Sequence, residues 1–253
     1  YRGRFHISPR MLLNNYLFDS FKAQDCIAGF SLGKLDLGFK DNPGLRENRG
    51  TFLGQLGIAA DSLVCLQQVH GNKVFSAERK DAGQGAFEYE TAVAGYDGLI
   101  SARKNLPLAV FSADCLSVFM LDTRNRIAAI LHAGWKGTKD RIVLSALDIF
   151  KNRFSSLPRD IICAFGPCIR DCCYEVGEEF RDYFSQGLVK RKGKVFLDLA
   201  RTNLEQLTGA GIPESNVTDC GICTSCQNQD FFSYRKDGQK TGRMMSVIMI
   251  KEN

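Results

Sequence analysis

The sequence is poor in histidine, proline and tryptophan, with three, six and one in 253 residues. So little proline, and no serine-rich tract, leaves no evident linker between two halves. No internal repeat or low-complexity tract interrupts the chain. No apolar run approaches the roughly 18 residues of a membrane span. No charged stretch followed by an apolar run and a cleavage site opens the sequence, so no export signal is read. An opening Tyr1 points to a processed or trimmed chain. Charge of one sign is also lacking: 33 Lys and Arg against 28 Asp and Glu give a net +5. The one dense basic run, Lys190, Arg191, Lys192 and Lys194, has no interleaved aromatics and reads as a solvated hairpin or loop. Neither nucleic acid nor membrane is an expected partner, and the sequence does not speak to oligomeric state.

What is present is ordinary for a globular protein: 44% hydrophobic and 24% charged residues. That balance excludes disorder, collagen and coiled coil. A chain this long buries roughly 70–75% of its unfolded surface. One domain over residues 1–253 is expected. Ten cysteines are many. In a long chain without an export signal they read as reduced thiols of a cytoplasmic protein.

Asn42-Pro43 reads as an N-cap and first helical residue, followed by an apolar face of Leu45, Phe52, Leu53 and Leu56. Leu63–Leu66 and Leu106–Phe111 read as strands, the second at an edge or strand start because of Pro107. Cys115–Leu121 and Ile127–Ala133 flank a polar turn and predict a hairpin. Helices are expected from about Thr138, over Glu178–Leu188 and over Leu199–Thr208, and a last strand over Ser246–Ile250. Asp81–Ala86 reads as a flexible glycine loop. The alternation argues α/β with a mixed sheet.

Of the histidines, His6 has no partner motif. In the hairpin, a two-residue turn would set Cys115 directly opposite His132, close enough for both to reach one zinc. His70 would complete a three-ligand set with one open position, the pattern of a catalytic zinc. A metal-free Cys115 nucleophile with a histidine base, and a purely structural role, stand open beside it. The run Gly134, Trp135, Lys136, Gly137, Thr138 joins a strand to a helix start and reads as an anion cradle or as a tight turn with a tryptophan anchor. Arg49 reads as a phosphate ligand or as a structural cation. Cys168, Cys172 and Cys173 form one thiol group and Cys220, Cys223 and Cys226 another. A second metal centre there would need four ligands, and buried thiols or an oxidation-prone pair are the simpler reading.

These segments resemble the YfiH-like or laccase-domain family. The resemblance rests on Asn48-Arg49, Gln68-Val-His70-Gly71, Ser112-Ala-Asp114-Cys115, His132-Ala-Gly-Trp-Lys-Gly137, Gly166-Pro-Cys-Ile169, Cys173-Tyr-Glu-Val176, Phe231-Phe-Ser-Tyr-Arg235 and Thr241-Gly-Arg243. It implies a four-layer α/β/β/α sandwich with zinc on His70, Cys115 and His132, and a functional Arg49. It also implies phosphorolysis of purine nucleosides, methylthioadenosine included, and deamination of adenosine, with inorganic phosphate as co-substrate. Asp114 is then a proton carrier or a brace for a histidine or loop amide. Lys136, Gly137 and Thr138 are expected at the phosphate. Two other activities attach to the family, peptidoglycan editing and copper-dependent polyphenol oxidation. Three histidines cannot furnish several copper centres, so zinc is preferred to copper.

Overall fold

The structure, a computed structural model, describes residues 15–252. His6 lies outside the described residues. The chain forms a mixed α/β fold built on two main sheets. The first is antiparallel, in the order Asn15–Leu17, Cys26–Ser31, Met244–Ile250, Leu108–Ser112. The second orders Val217–Asp219, Ile161–Phe165, Leu116–Asp122, Ile127–Ala133, Gly98–Ser101 and Val74–Ser76. Its outermost pairs are parallel and its inner pairs antiparallel, so the sheet is mixed, as the sequence suggested.

Four strands, Leu108–Ser112, Leu116–Asp122, Ile127–Ala133 and Met244–Ile250, are buried at every position. Strands covered on both faces read as unbroken apolar runs rather than alternating ones. One core joins the sheets to each other: Phe30, Val110 and Ile248 meet Phe119, Leu121 and Ile130. A second packs Val118, Met120 and Leu131 against Ile142, Val143, Ala146 and Phe150 of the helix Ile142–Phe154. A third sets Phe52 and Leu53 of the helix Leu45–Gln55 on Ala109, Phe111, Met245 and Val247.

Several expectations are met. Leu108–Ser112 is an edge strand with Pro107 just before it, where a missing N–H costs no ladder bond. Leu188–Arg191 and Lys194–Leu197 form a hairpin turning at Lys192-Gly193, so the basic run is solvated. The helix Leu199–Gly209 and the strand Met244–Ile250 lie where expected.

Others are corrected. The helix after Pro43 starts at Leu45 with Gly44 as its cap. The Asn42 amide instead donates to the Asp36 and Gly38 carbonyls. Glu178–Leu188 is not one helix: a single 3₁₀ turn over Glu178–Asp182 precedes a strand at Leu188. The helix expected from Thr138 is two, Trp135–Lys139 and Ile142–Phe154, broken by Arg141 at φ 59°. Asp81–Ala86 is tied down: Asp81 is buried, and the Gly85 and Ala86 carbonyls accept from Arg49.

The hairpin register also differs. Asp122 pairs with Ile127 across four turn residues, because its carboxylate accepts the Arg124 and Asn125 amides and the Asn125 side chain. His132 therefore faces Ser117, not Cys115. The shift is by two residues, and side chains repeat by two along a strand. Cys115, just before the strand, stays on the same face as His132.

Candidate metal centre

His70, Cys115 and His132 come together, with their ligand atoms all within 4.8 Å of one another. The histidine rings meet edge to face, 4.9 Å between centroids. Gly134 makes the approach possible: a Cβ there would stand 2.9 Å from the Cys115 sulfur and 3.4 Å from the His70 ring.

The organising residue is Asp97, which the sequence reading missed. It is fully buried just before the strand Gly98–Ser101. Its carboxylate accepts the backbone N–H groups of Val69, His70 and Gly71 at 3.1, 2.9 and 2.7 Å. It also holds His132 Nδ1 at 2.9 Å. One carboxylate thus fixes both histidines, His70 through its backbone and His132 through its ring. The Nδ1 contact leaves His132 Nε2 as the ligand atom, the carboxylate–histidine–metal arrangement of metal sites. His70 itself sits at φ 61°, a left-handed conformation that the three amide bonds hold in place. Burial works against ionising Asp97, yet the bond and charge of His132 and the loop amides keep its carboxyl below the ordinary range.

Burial opposes ionising Cys115 as well. The charge and hydrogen bond of His132, with His70 behind them, outweigh it and bring the thiol down to about 6. Burial would likewise lower His132, but Cys115 and Asp97 raise it to about 9. Both shifts favour the Cys115 thiolate, which is the form a metal takes.

The trio opens on a cavity of about 1130 Å³, with Phe39, Tyr89 and Phe111 on one wall and Ile169 and Tyr174 on another. Its cationic wall residues are Lys40, Arg235, Lys240 and Arg243. The sequence marks Arg235 and Arg243 only as parts of Phe231-Phe-Ser-Tyr-Arg235 and Thr241-Gly-Arg243. Gln68 clamps the edge strand by pairing both side-chain atoms with the Phe111 backbone.

Other expected site residues are not brought to the cavity. Arg49 is fully buried behind it, its guanidinium bonded to the carbonyls of Leu37, Gly85 and Ala86. It stacks on the rings of Phe39 and Phe111, which themselves form cavity wall. Lys136 is exposed, with its ammonium over the Trp135 ring. Gly137 is buried, and a Cβ there would come within 2.8 Å of the Gly71 carbonyl. The Thr138 hydroxyl accepts from Asn203. Of this segment only Trp135 lines the cavity, so the tryptophan-anchored turn, not the anion cradle, describes it. Asp114 does line it, at φ 93°, but its carboxylate is taken by the Thr224 hydroxyl at 2.6 Å and the Arg235 amide at 2.7 Å. Of its two expected roles, the geometry fits the brace for a loop amide.

The chain matches the family model for multi-copper polyphenol oxidoreductase laccase over residues 28–251. It is 33% identical over 221 residues to purine nucleoside phosphorylase YlmD of Geobacillus stearothermophilus, covering 84% of this chain and 81% of that protein. It is 32% identical over 212 residues to adenosine deaminase RL5 from an unknown prokaryotic organism, covering 80% of each. Among solved structures, Bacillus licheniformis hypothetical protein YfiH superposes with a TM-score of 0.89 at 33% identity, over 94% of this chain and 97% of that one. YlmD of Geobacillus stearothermophilus gives 0.86 at 31% identity, over 90% and 93%. The chain belongs to the YfiH-like, laccase-domain family.

Proposed function

We propose that this protein is a zinc-dependent purine nucleoside phosphorylase that also deaminates adenosine and accepts methylthioadenosine. The carrying observation is the His70–Cys115–His132 trio, with Asp97 behind it, opening on a large cavity. Relatives named for phosphorolysis and for adenosine deamination support the substrate class. Two imidazoles and one thiolate suit zinc, and three protein ligands leave a position for substrate or water. Zinc bound there would stabilise negative charge developing on the reacting group.

The chain's own residues supply the rest. Phe39, Tyr89 and Phe111 offer faces on which a purine can stack. Lys40, Lys240 and Arg243 offer the positive charge that inorganic phosphate needs, in place of Arg49. Asp97 keeps His132 in one tautomer, so its Nε2 remains a ligand atom. Asp114 holds the Arg235 amide and, with it, a cationic residue of the cavity wall. The layering we read into the three cores is helix, sheet, sheet, helix. We further assign the protein to the cytoplasm, on its ten thiols. No helix among the described residues is long and apolar enough to cross a membrane.

A second reading is favoured by one observation, the Cys115 sulfur held within 4.8 Å of both histidine ring nitrogens, which lower its thiol. It makes Cys115 a nucleophile in a metal-free hydrolase, as an editing amidase would need. One assay separates the two. Adenosine, inosine, guanosine and methylthioadenosine are offered with and without inorganic phosphate, before and after chelation. Phosphate-dependent release of base that is lost on chelation is expected. No base at any phosphate level, with no ammonia from adenosine, removes the proposal, and activity that survives chelation but not alkylation of Cys115 selects the thiol mechanism.

A further inference from the structure

A second group of ligands lies outside the cavity trio. Cys172, Cys173, Cys223 and Cys226 bring four sulfurs within 4.8 Å of one another. Cys226 stands 3.5 Å from Cys172 and 3.4 Å from Cys173. A single zinc with sulfur at about 2.3 Å in a tetrahedron needs sulfurs roughly 3.8 Å apart. The observed spacing fits one ion. It is too tight for the corners of a multi-iron cluster without the turns moving apart.

The sequence names both thiol groups but not which four of the six converge, because the set takes two members from each. Cys168 and Cys220 drop out as buried thiols that burial pushes up, Cys220 to about 11. The remaining four sit on two turns that the backbone already stitches together. Cys168 and Cys223 form a parallel bridge, with the Cys168 amide on the Ile222 carbonyl and the Thr224 amide on the Cys168 carbonyl. The turn at Arg170 closes through the Cys173 and Tyr174 amides. Cys223 is buried while Cys172 and Cys226 are exposed, so an ion has a route in.

We propose that Cys172, Cys173, Cys223 and Cys226 form a second, structural metal site that takes one tetrahedral zinc-class ion. Four protein ligands leave no open position, so its role is to staple, not to react. The stapled turns carry part of the active cavity. Ile169 and Tyr174 line it, and Thr224 donates to Asp114. The Arg235 guanidinium reaches back to the Cys173 and Glu175 carbonyls. The ion thus fixes the part of the cavity wall that Ile169 and Tyr174 form.

The test is metal content of the full chain purified in reductant with zinc supplied, compared with two variant sets. Two zinc ions per chain are expected for the parent. Cys172→Ser with Cys226→Ser should bind one, and His70→Ala with Cys115→Ala and His132→Ala should also bind one. Loaded with cobalt(II), the second variant should show the strong thiolate-to-metal absorption of four sulfurs, and the first should lose it. No bound zinc or cobalt in the variant lacking the cavity trio overturns the proposal, as does iron in a cluster. A parent measurement covers variants that fail to fold. Mass mapping of alkylated cysteines should find the four thiols protected together and released together by chelator. A disulfide among them in the reduced, zinc-loaded chain, or full alkylation without chelator, overturns it. None of these readouts depends on nucleoside activity, so the site stands or falls apart from the proposed function.

Discussion

Arg49 and Asp97 are both fully buried charged residues, and their partners lead in opposite directions. Arg49 spends its donors on three backbone carbonyls and its plane on two aromatic rings. Asp97 spends its oxygens on the backbone of one metal-ligand candidate and the ring of another. The first charge shapes a wall from behind, whereas the second sets the chemistry of the centre. Burial of charge alone does not separate these roles, but the identity of the bonded atoms does.

The comparison breaks most visibly at Arg49. Arg49→Met would leave the Leu37, Gly85 and Ala86 carbonyls without their donor in the interior. At about 1–3 kcal/mol per unsatisfied buried group, partly recovered by water, the expected loss is about 3–5 kcal/mol. Denaturant unfolding of parent and variant measures it. Metal bound per folded molecule should stay the same. A variant of parental stability that loses phosphate affinity would make Arg49 a phosphate ligand rather than a structural cation.

Asp97→Asn is next. The amide keeps the shape but loses the charge, and its NH₂ faces backbone donors where the carboxylate accepted three. Metal affinity should fall about 10–100-fold, the usual effect of removing a partner that orients a histidine ligand. Competition with a chromophoric chelator reads this directly. Unchanged affinity would mean that Asp97 only shapes the loop.

Legibility in the sequence followed the same division. The buried strands announced themselves as apolar runs, and His70, Cys115 and His132 as scarce residue types in glycine-rich company. Asp97 did not, because a single acid beside glycine is common and its four partners come from two distant segments. A clue was available in Tyr96-Asp97-Gly98 leading straight into a buried strand, where an acid needs several donors to be tolerated. Arg49 stands beside an apolar stripe, which left phosphate ligand and structural cation both open, and its buried carbonyl partners favour the second. Its side chain could point along the helix toward the interior, which no spacing rule foresees. The hairpin was right in kind and wrong by two residues, since turn length depends on side-chain bonds of Asp122 that periodicity does not contain. Which four of the six grouped thiols meet was hidden for a similar reason, being a product of two turns meeting.

Cys115 gives a pH test of what Asp97 and His132 do together. A thiol lowered to about 6 is thiolate above that pH and neutral below it, so reactivity is present above pH 6 and lost on acidification. In chelated protein, alkylation of Cys115 by iodoacetamide should have a midpoint near 6, where an ordinary thiol has about 8.5. His132→Ala removes the largest lowering influence and should move the midpoint upward. A midpoint that does not move would show that His132 does not set the thiol's charge.

Lys136 should matter least, and that smallness is informative. It stands one residue after Trp135, on the short helix whose first residue reaches the cavity wall. Its side chain is exposed and its ammonium sits over the indole. A cation on an aromatic face at the surface is worth about 0.5–1 kcal/mol. Lys136→Ala should therefore shift stability by no more than that and leave the KM for phosphate unchanged within about twofold. Lys240→Ala and Arg243→Ala, on the cavity wall, should each raise it more. A larger phosphate effect from Lys136 than from either would mean that the helix start at Gly134 turns toward the ligand after all. It would also make the electrostatics of the cavity a property of the His132–Thr138 segment rather than of the wall facing it.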